Sequence, residues 1–185
     1  LNVNTSGKVW EISEDGKTLI QPFSSIKGVG DKAVEQIIKH RPFNTPEELL
    51  FNDEVVYSKL NKKALHALCL SGGLDSLVDD RFNGCKHFWM ACINNRPKNL
   101  KKLTENIKEY CIEEDFTTEE KIENVSTLTG IFPFDLVMTR QLKESIINNR
   151  VPALGNWDKD LGVAWFIPRE IVKKKTKNDK PYWIL

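Results

Sequence analysis

Residues 23–38 read Phe-Ser-Ser-Ile-Lys-Gly-Val-Gly-Asp-Lys-Ala-Val-Glu-Gln-Ile-Ile, which sets two glycines one residue apart directly before a helical pattern. Glycine lets a backbone turn tightly and approach a ligand closely, and a new helix leaves its first N–H groups without intrahelical acceptors. Together these features form a seat for a phosphate oxygen. Gly28, Val29 and Gly30 are its expected backbone. Lys27 and Lys32 flank it with positive charge that attracts phosphate without regard to base sequence.

Gly-x-Gly before a helix also occurs in plain turns and in the dinucleotide fingerprint. The latter needs a preceding parallel strand and a third glycine. Position 33 is Ala33, and residues 23–27 do not have the composition of a core strand. The apolar series Ile26, Val29, Ala33 and Ile37 would hold a turn between two helices, which favours the phosphate-binding reading over a bare turn.

Other chemistry is less well placed. Glu113, Glu114, Asp115, Glu119 and Glu120 cluster around an expected loop, whereas a two-metal centre needs carboxylates converging on one point. His40, His66 and His87 fall in helical contexts without a matching nucleophile and acid. Cys85, His87, Cys92 and Cys111 offer zinc-type donors but no close Cys-x-x-Cys pair, so reduced thiols, with Cys69 as the fourth, are expected instead. No catalytic residue and no metal ligand is assigned.

Short elements must position the seat. Residues 8–12 and 18–20 alternate as a β-hairpin around Asp15-Gly16. A first helix runs from Asp31 as N-cap to before Pro42; a second opens on Thr45-Pro46-Glu47-Glu48 as a capping box. A third opens at Asn61, turns Ala64, Leu65, Leu68 and Cys69 inward, and ends at Gly72-Gly73. Helical patterns follow over residues 86–94, 99–113, 117 onward and 139–149. The texture then changes: residues 162–167, 170–172 and 182–185 read as strands, separated by Pro168 and a basic turn over residues 173–180.

The chain has 185 residues and 40% hydrophobic content, enough for one large or two small cores. Lys plus Arg number 27 against 26 Asp plus Glu, so any affinity for nucleic acid must be local. No apolar run is long enough for a membrane span, and Leu1-Asn2-Val3-Asn4 carries neither an initiator Met nor a basic-then-apolar leader. A cytoplasmic piece of a longer chain, with no membrane partner, is expected.

Asn2-Val3-Asn4-Thr5-Ser6, the Ile26-Lys27-Gly28-Val29-Gly30 hairpin, Arg41-Pro42-Phe43, Leu60-Asn61-Lys62-Lys63-Ala64-Leu65 and Ser71-Gly72-Gly73-Leu74-Asp75-Ser76-Leu77 together resemble the C-family replicative polymerase alpha subunit, DNA polymerase III. Asn2 departs from the acidic residue usual there. The resemblance implies a mainly α fold: a β-hairpin from the end of the fingers over residues 1–22 and a tandem helix-hairpin-helix over 23–82. A helical connector would follow over 83–150, then the start of an oligonucleotide-binding (OB) β domain over 151–185. It makes Ser71, Gly72 and Gly73 the second hairpin, and brings Lys62 and Lys63, at the start of the helix leading into it, within reach of a phosphate. Paired lysines on a helix are equally often a solvated face.

By the same resemblance the partners are double-stranded DNA, the remainder of the polymerase chain and single-stranded template in the OB region. For the last, Trp165, Phe166, Tyr182 and Trp183 would stack bases beside Lys173, Lys174, Lys175, Lys177 and Lys180. No cofactor is expected in this chain, though the full polymerase would use Mg²⁺, and no activity is expected of the chain alone. The helical stretch after residue 82, shorter than in cellular members, points to a phage or other unusual source. Two other readings stay open: a helix-hairpin-helix repair glycosylase or nuclease, although a glycosylase should place a catalytic Asp or Lys after the hairpin helix where this chain has Asn44 and Glu47 in a capping box, and a protein-interaction module whose hairpin merely packs.

Overall fold

A computed structural model of the chain describes residues 1–168 and 172–184; Glu170 and Ile171, expected in a strand, and Leu185 lie outside the described residues. The molecule divides into two compact units, Leu1–Leu136 and Val137–Leu185. The fold is mainly helical, with a short antiparallel strand pair toward each end of the sequence.

The first unit opens on a turn built by amide side chains. Asn2 accepts the Asn4 N–H on Oδ1 at 2.8 Å, a bond that an acidic side chain would make equally well. Asn4 exchanges two bonds with the backbone of Phe43, donating to its carbonyl at 2.7 Å and accepting from its N–H at 2.8 Å. Arg41 donates to the Ser6 carbonyl at 2.9 Å. The first few residues are thereby tied to the segment beyond the hairpin helix.

Strands β1 (Glu11–Ile12) and β2 (Leu19–Ile20) pair Glu11 with Ile20 and Ile12 with Leu19, with Gly16 at φ +68° in the expected turn. The ribbon is shorter than the sequence pattern suggests. Ile12 and Leu19 are 69% and 62% exposed, and a two-stranded ribbon with no covering layer has little to extend it.

Helix α1 (Asp31–His40) has Gly30, not Asp31, as its N-cap; Asp31 is the first helical residue. Helix α2 (Pro46–Leu50) is capped by the Thr45 hydroxyl, but Glu48 reaches back to the Asn44 N–H instead of the cap N–H, so the expected box is displaced by one residue. Helix α3 (Lys62–Leu70) starts at Asn61, whose Oδ1 accepts from the Ala64 N–H at 3.0 Å. Phe23, Ile26 and Val29 of the hairpin, Ala33 and Ile37 of α1, Leu49 of α2, and Leu65 and Leu68 of α3 enter one buried core. Val3, Phe88, Ile93 and Leu103 join it, so the N-terminal turn, the hairpin region and much of the following segment share a single interior.

Helix α4 (Cys85–Phe88) continues into a π-helical turn at Trp89–Asn94 and is followed by α5 (Leu100–Glu109). Helix α6 (Thr118–Thr129) carries a complete capping box between Thr117 and Glu120, and ends at Gly130 with φ +71°. It packs on α3. Helix α7 (Phe134–Val137) spans the boundary of the two units, and α8 (Arg140–Asn148), capped by Thr139, belongs to the second.

Two expectations for the second unit are corrected. Residues 162–167 form no strand; Trp165 makes one isolated parallel bridge to Ala153. The supposed basic turn begins as strand β3 (Val172–Lys175), paired antiparallel with β4 (Pro181–Ile184) so that Lys174 faces Tyr182. Exposure explains the second difference. Lys173, Lys174 and Lys175 keep their charges in water while the backbone pairs, so charge does not oppose the strand. No closed barrel forms among the described residues.

One titration follows from the packing of α3. His66 accepts a hydrogen bond from the Trp89 indole N–H on Nδ1 at 2.9 Å, and burial, with Lys62 nearby, lowers its pKa. The folded chain thus disfavours the imidazolium, so this contribution to stability is present above the unfolded value of about 6.5 and is lost as pH falls from there toward the lower folded pKa. Denaturant titrations at pH 7.5 and pH 5.5 should show the loss, and His66→Leu should reduce it; an unchanged pH dependence in that variant would contradict the assignment.

Candidate nucleic-acid interface

The first hairpin is built from a 3₁₀ turn at Phe23–Ser25, residues 26–30 and the start of α1. Gly28 turns at φ +96°, a conformation costly for any side chain. It also lies against α3: a Cβ there would come to 3.5 Å from Lys63 Cε and 3.7 Å from Ala67 Cβ. Gly30 has φ −86° and needs no conformational freedom. An added Cβ at Gly30 meets nothing within 4 Å, so this glycine opens onto free space.

The backbone donors divide into two sets. Lys27 N–H donates to the Leu128 carbonyl at 2.7 Å, Val29 N–H to Ile26, and the N–H groups of Ala33 and Val34 to Gly30. The N–H groups of Gly28, Gly30, Asp31 and Lys32 meet no acceptor among the described residues. Their helix end carries the positive pole of the α1 dipole. Lys27, Lys32 and Lys63 are exposed around it, against one carboxylate at Asp31. The arrangement suits an anion that needs backbone donors more than a deep pocket.

The second expected hairpin does not repeat this geometry. Gly72, at φ +84°, and Gly73 form a Schellman end to α3: Gly72 N–H donates to Cys69 at 3.1 Å and Gly73 N–H to Leu68 at 2.8 Å. Ser71 is buried, with its N–H bonded to Ala67 and its hydroxyl to Leu68. The donors of residues 71–73 are therefore occupied. The next element, Asp75–Leu77, is a single 3₁₀ turn that opens on a carboxylate. A Gly-Gly pair after a helix fits both a phosphate loop and a helix cap, and the Leu68 and Cys69 carbonyls decide it here.

The two lysines of α3 separate. Lys62 Nζ donates to the Asn94 carbonyl at 2.7 Å, at the end of the π-helical turn. Lys63 sends its stem over Gly28 and so belongs to the first hairpin, not the second. Sequence spacing could not show this, because the two hairpins meet across α3 only in the folded chain.

The remaining candidates serve the framework. Glu47 pairs with Arg81, Nη2 to Oε2 at 3.0 Å, and that bond is the main reason its carboxyl titrates below the ordinary range. Asp115 accepts from Lys86 N–H at 2.8 Å and from Lys121 Nζ at 2.7 Å, while Glu120 caps its own helix. Both ring nitrogens of His87 are engaged, one by the Asn83 N–H and the other at 2.8 Å from the Ile107 carbonyl. Cys92 is fully buried, Cys85 bonds Asp75 with its thiol pushed up to about 12 chiefly by burial, and no group of three metal-type donors is found among the described residues. In the second unit Phe166 and Tyr182 are partly exposed.

Residues 1–83 match the helix-hairpin-helix motif family. The chain is similar to the DNA polymerase III subunit alpha of Pseudomonas aeruginosa, 31% identical over 109 residues, which are 58% of this chain and 9% of that protein. It is also similar to the DNA polymerase III subunit alpha of two Xylella fastidiosa strains, 35% identical over 82 residues, 43% of this chain and 7% of each. It spans less than a tenth of the length of these curated relatives. Among the described residues no helix is long and apolar enough to cross a membrane.

The separation of the two lysines is directly measurable. With a phosphate on the first hairpin, Lys63→Glu should reduce the magnitude of the slope of log K against log salt by about 0.9, the share of one phosphate. Lys62→Glu should leave the slope unchanged. Equal slopes for Lys63→Glu and the parent in duplex titrations would remove Lys63 from the seat.

Proposed function

We propose that this chain, a helix-hairpin-helix protein similar to DNA polymerase III alpha subunits, holds duplex DNA by its phosphates within a larger replicative polymerase. The observation that carries the reading is the set of unbonded N–H groups at Gly28, Gly30, Asp31 and Lys32, opening past a glycine with free space before it and ringed by Lys27, Lys32 and Lys63. These groups address phosphate oxygens and not base edges, so binding is indifferent to sequence. Their role is to position the duplex, while nucleotidyl transfer and its Mg²⁺ belong to other parts of the polymerase. A repair enzyme is less well supported, since Glu47 is engaged by Arg81 and Asn44 lies in the cap of α2.

The exposed Tyr182 opposite Lys174 supports a subsidiary contact with single-stranded template. An aromatic face beside an ammonium is the pairing that unpaired bases and their phosphates use.

Fluorescence anisotropy with duplexes of unrelated sequence tests the main reading. Because one hairpin and not two offers free donors, about two or three phosphates are engaged and the slope of log K on log salt should lie near −2 to −3. Lys32→Glu should weaken duplex binding at low salt while changing stability by less than about 0.5 kcal/mol. A folded Lys32→Glu chain that binds duplex as the parent does would leave the hairpin a packing element.

A further inference from the structure

We infer that helix α6, which lies beyond the residues matching the helix-hairpin-helix family, is a positioning element of the phosphate seat, acting through the Leu128 carbonyl on the Lys27 N–H. The inference rests on the DNA reading above and extends its site by a segment about a hundred residues along the chain.

The hairpin backbone has few holds of its own. Between Ile26 and Gly30 its internal backbone bond is Val29 N–H to Ile26 at 3.1 Å, and even an added Cβ at Gly28 would make only ordinary contact with α3. Lys27 immediately precedes the left-handed glycine. The 2.7 Å bond from its N–H to Leu128 fixes the Ile26–Lys27 peptide plane, the unit immediately before the one that carries the Gly28 N–H. Through the backbone torsions of Lys27 that plane governs where the Gly28 N–H points.

Helix α6 is braced to hold this carbonyl in place. At its start, Lys121 pairs with Asp115 at 2.7 Å, and Asp115 also accepts the Lys86 N–H of α4 at 2.8 Å. Asp115 is itself confined, since a Cβ on Gly84 would fall 2.6 Å from its Cγ. At its end, the Thr129 hydroxyl donates to Val125 at 2.7 Å and accepts from the Ile131 N–H at 3.1 Å. Gly130, at φ +71°, closes the helix with its N–H on Ser126 at 2.9 Å. The left-handed turn at Gly130 frees Leu128 from continuing the helix and leaves its carbonyl for Lys27. A Cβ at Gly130 would meet nothing within 4 Å, so the demand at this position is conformational and not steric.

Gly130→Val in the full 185-residue chain tests the assignment. A β-branched residue strongly resists positive φ, whereas Asn tolerates it, so Gly130→Asn is the matched rescue. Thr129→Val, which removes the two hydroxyl bonds without touching φ, is the second variant. The expected result for Gly130→Val is exchange of the Lys27 amide faster by about tenfold or more. Its duplex affinity should fall about three- to tenfold, with a salt slope smaller in magnitude by about 0.9 for each phosphate that the seat no longer holds. Gly130→Asn should restore all three values. A smaller folded fraction alone would lower apparent affinity at every salt concentration equally and leave the slope as in the parent. An unchanged slope with a freely exchanging Lys27 amide, in Gly130→Val or in Thr129→Val, overturns the role of α6 while the DNA reading stands. A parent chain that fails to bind duplex overturns the DNA reading and this role with it.

Discussion

Gly28 turns at φ +96° beside Lys63 and Ala67 of α3, and the candidate site depends on that turn. A side chain at this position would oppose the turn itself. The turn places Gly30 at the head of α1 with its outer side empty, and it brings the third lysine of the seat across from another helix. Ile26 and Val29, both buried, anchor the two sides of the turn in the core. Stability of the core and exposure of the N–H groups are thus linked through a few residues.

The two hairpins differ because their donors meet different acceptors. A helix that ends leaves carbonyls to be satisfied, and one that begins leaves N–H groups. Residues 71–73 follow the end of α3, so their N–H groups turn inward to its last carbonyls. Gly28, Gly30, Asp31 and Lys32 lie at the start of α1, so their N–H groups meet no acceptor among the described residues. Only the second situation leaves donors for a ligand. The two hairpins are therefore asymmetric: one offers free donors for the proposed seat, and the other fixes the end of the helix carrying Lys63.

Polar clusters away from the first hairpin join the elements of the first unit to one another. Arg81 with Glu47 joins α2 to the segment after α3, and Asp115 with Lys121 and the Lys86 N–H joins α4 to α6. Such partly exposed pairs contribute modestly to stability, but their several bonds fix direction. Asn2 and Asn4 do the same at the N-terminus with neutral amides. Asn2 in place of an acid keeps the acceptor that the turn requires and gives up only the charge.

The sequence alone determined the α-helices that begin with a capping side chain, namely those at Thr45, Asn61, Asn99, Thr117 and Thr139, because a cap and its helix are neighbours in the chain. It also determined the Gly-x-Gly turn before α1 and the inward face of α3, which depend on residues a few positions apart. The helix end at Gly72-Gly73 was legible in the same way, whereas tertiary structure decided that Lys63 and not Lys62 lies beside the first hairpin and that the Leu128 carbonyl accepts from the Lys27 N–H. It also decided the C-terminal strands: Lys173 to Lys175 joined β3 while residues 162–167 found no partner strand, because strand pairing is a property of two segments and not of one. A hydrogen-bond donor is free or occupied according to what the fold brings beside it, and acceptors a hundred residues away leave no mark on local spacing.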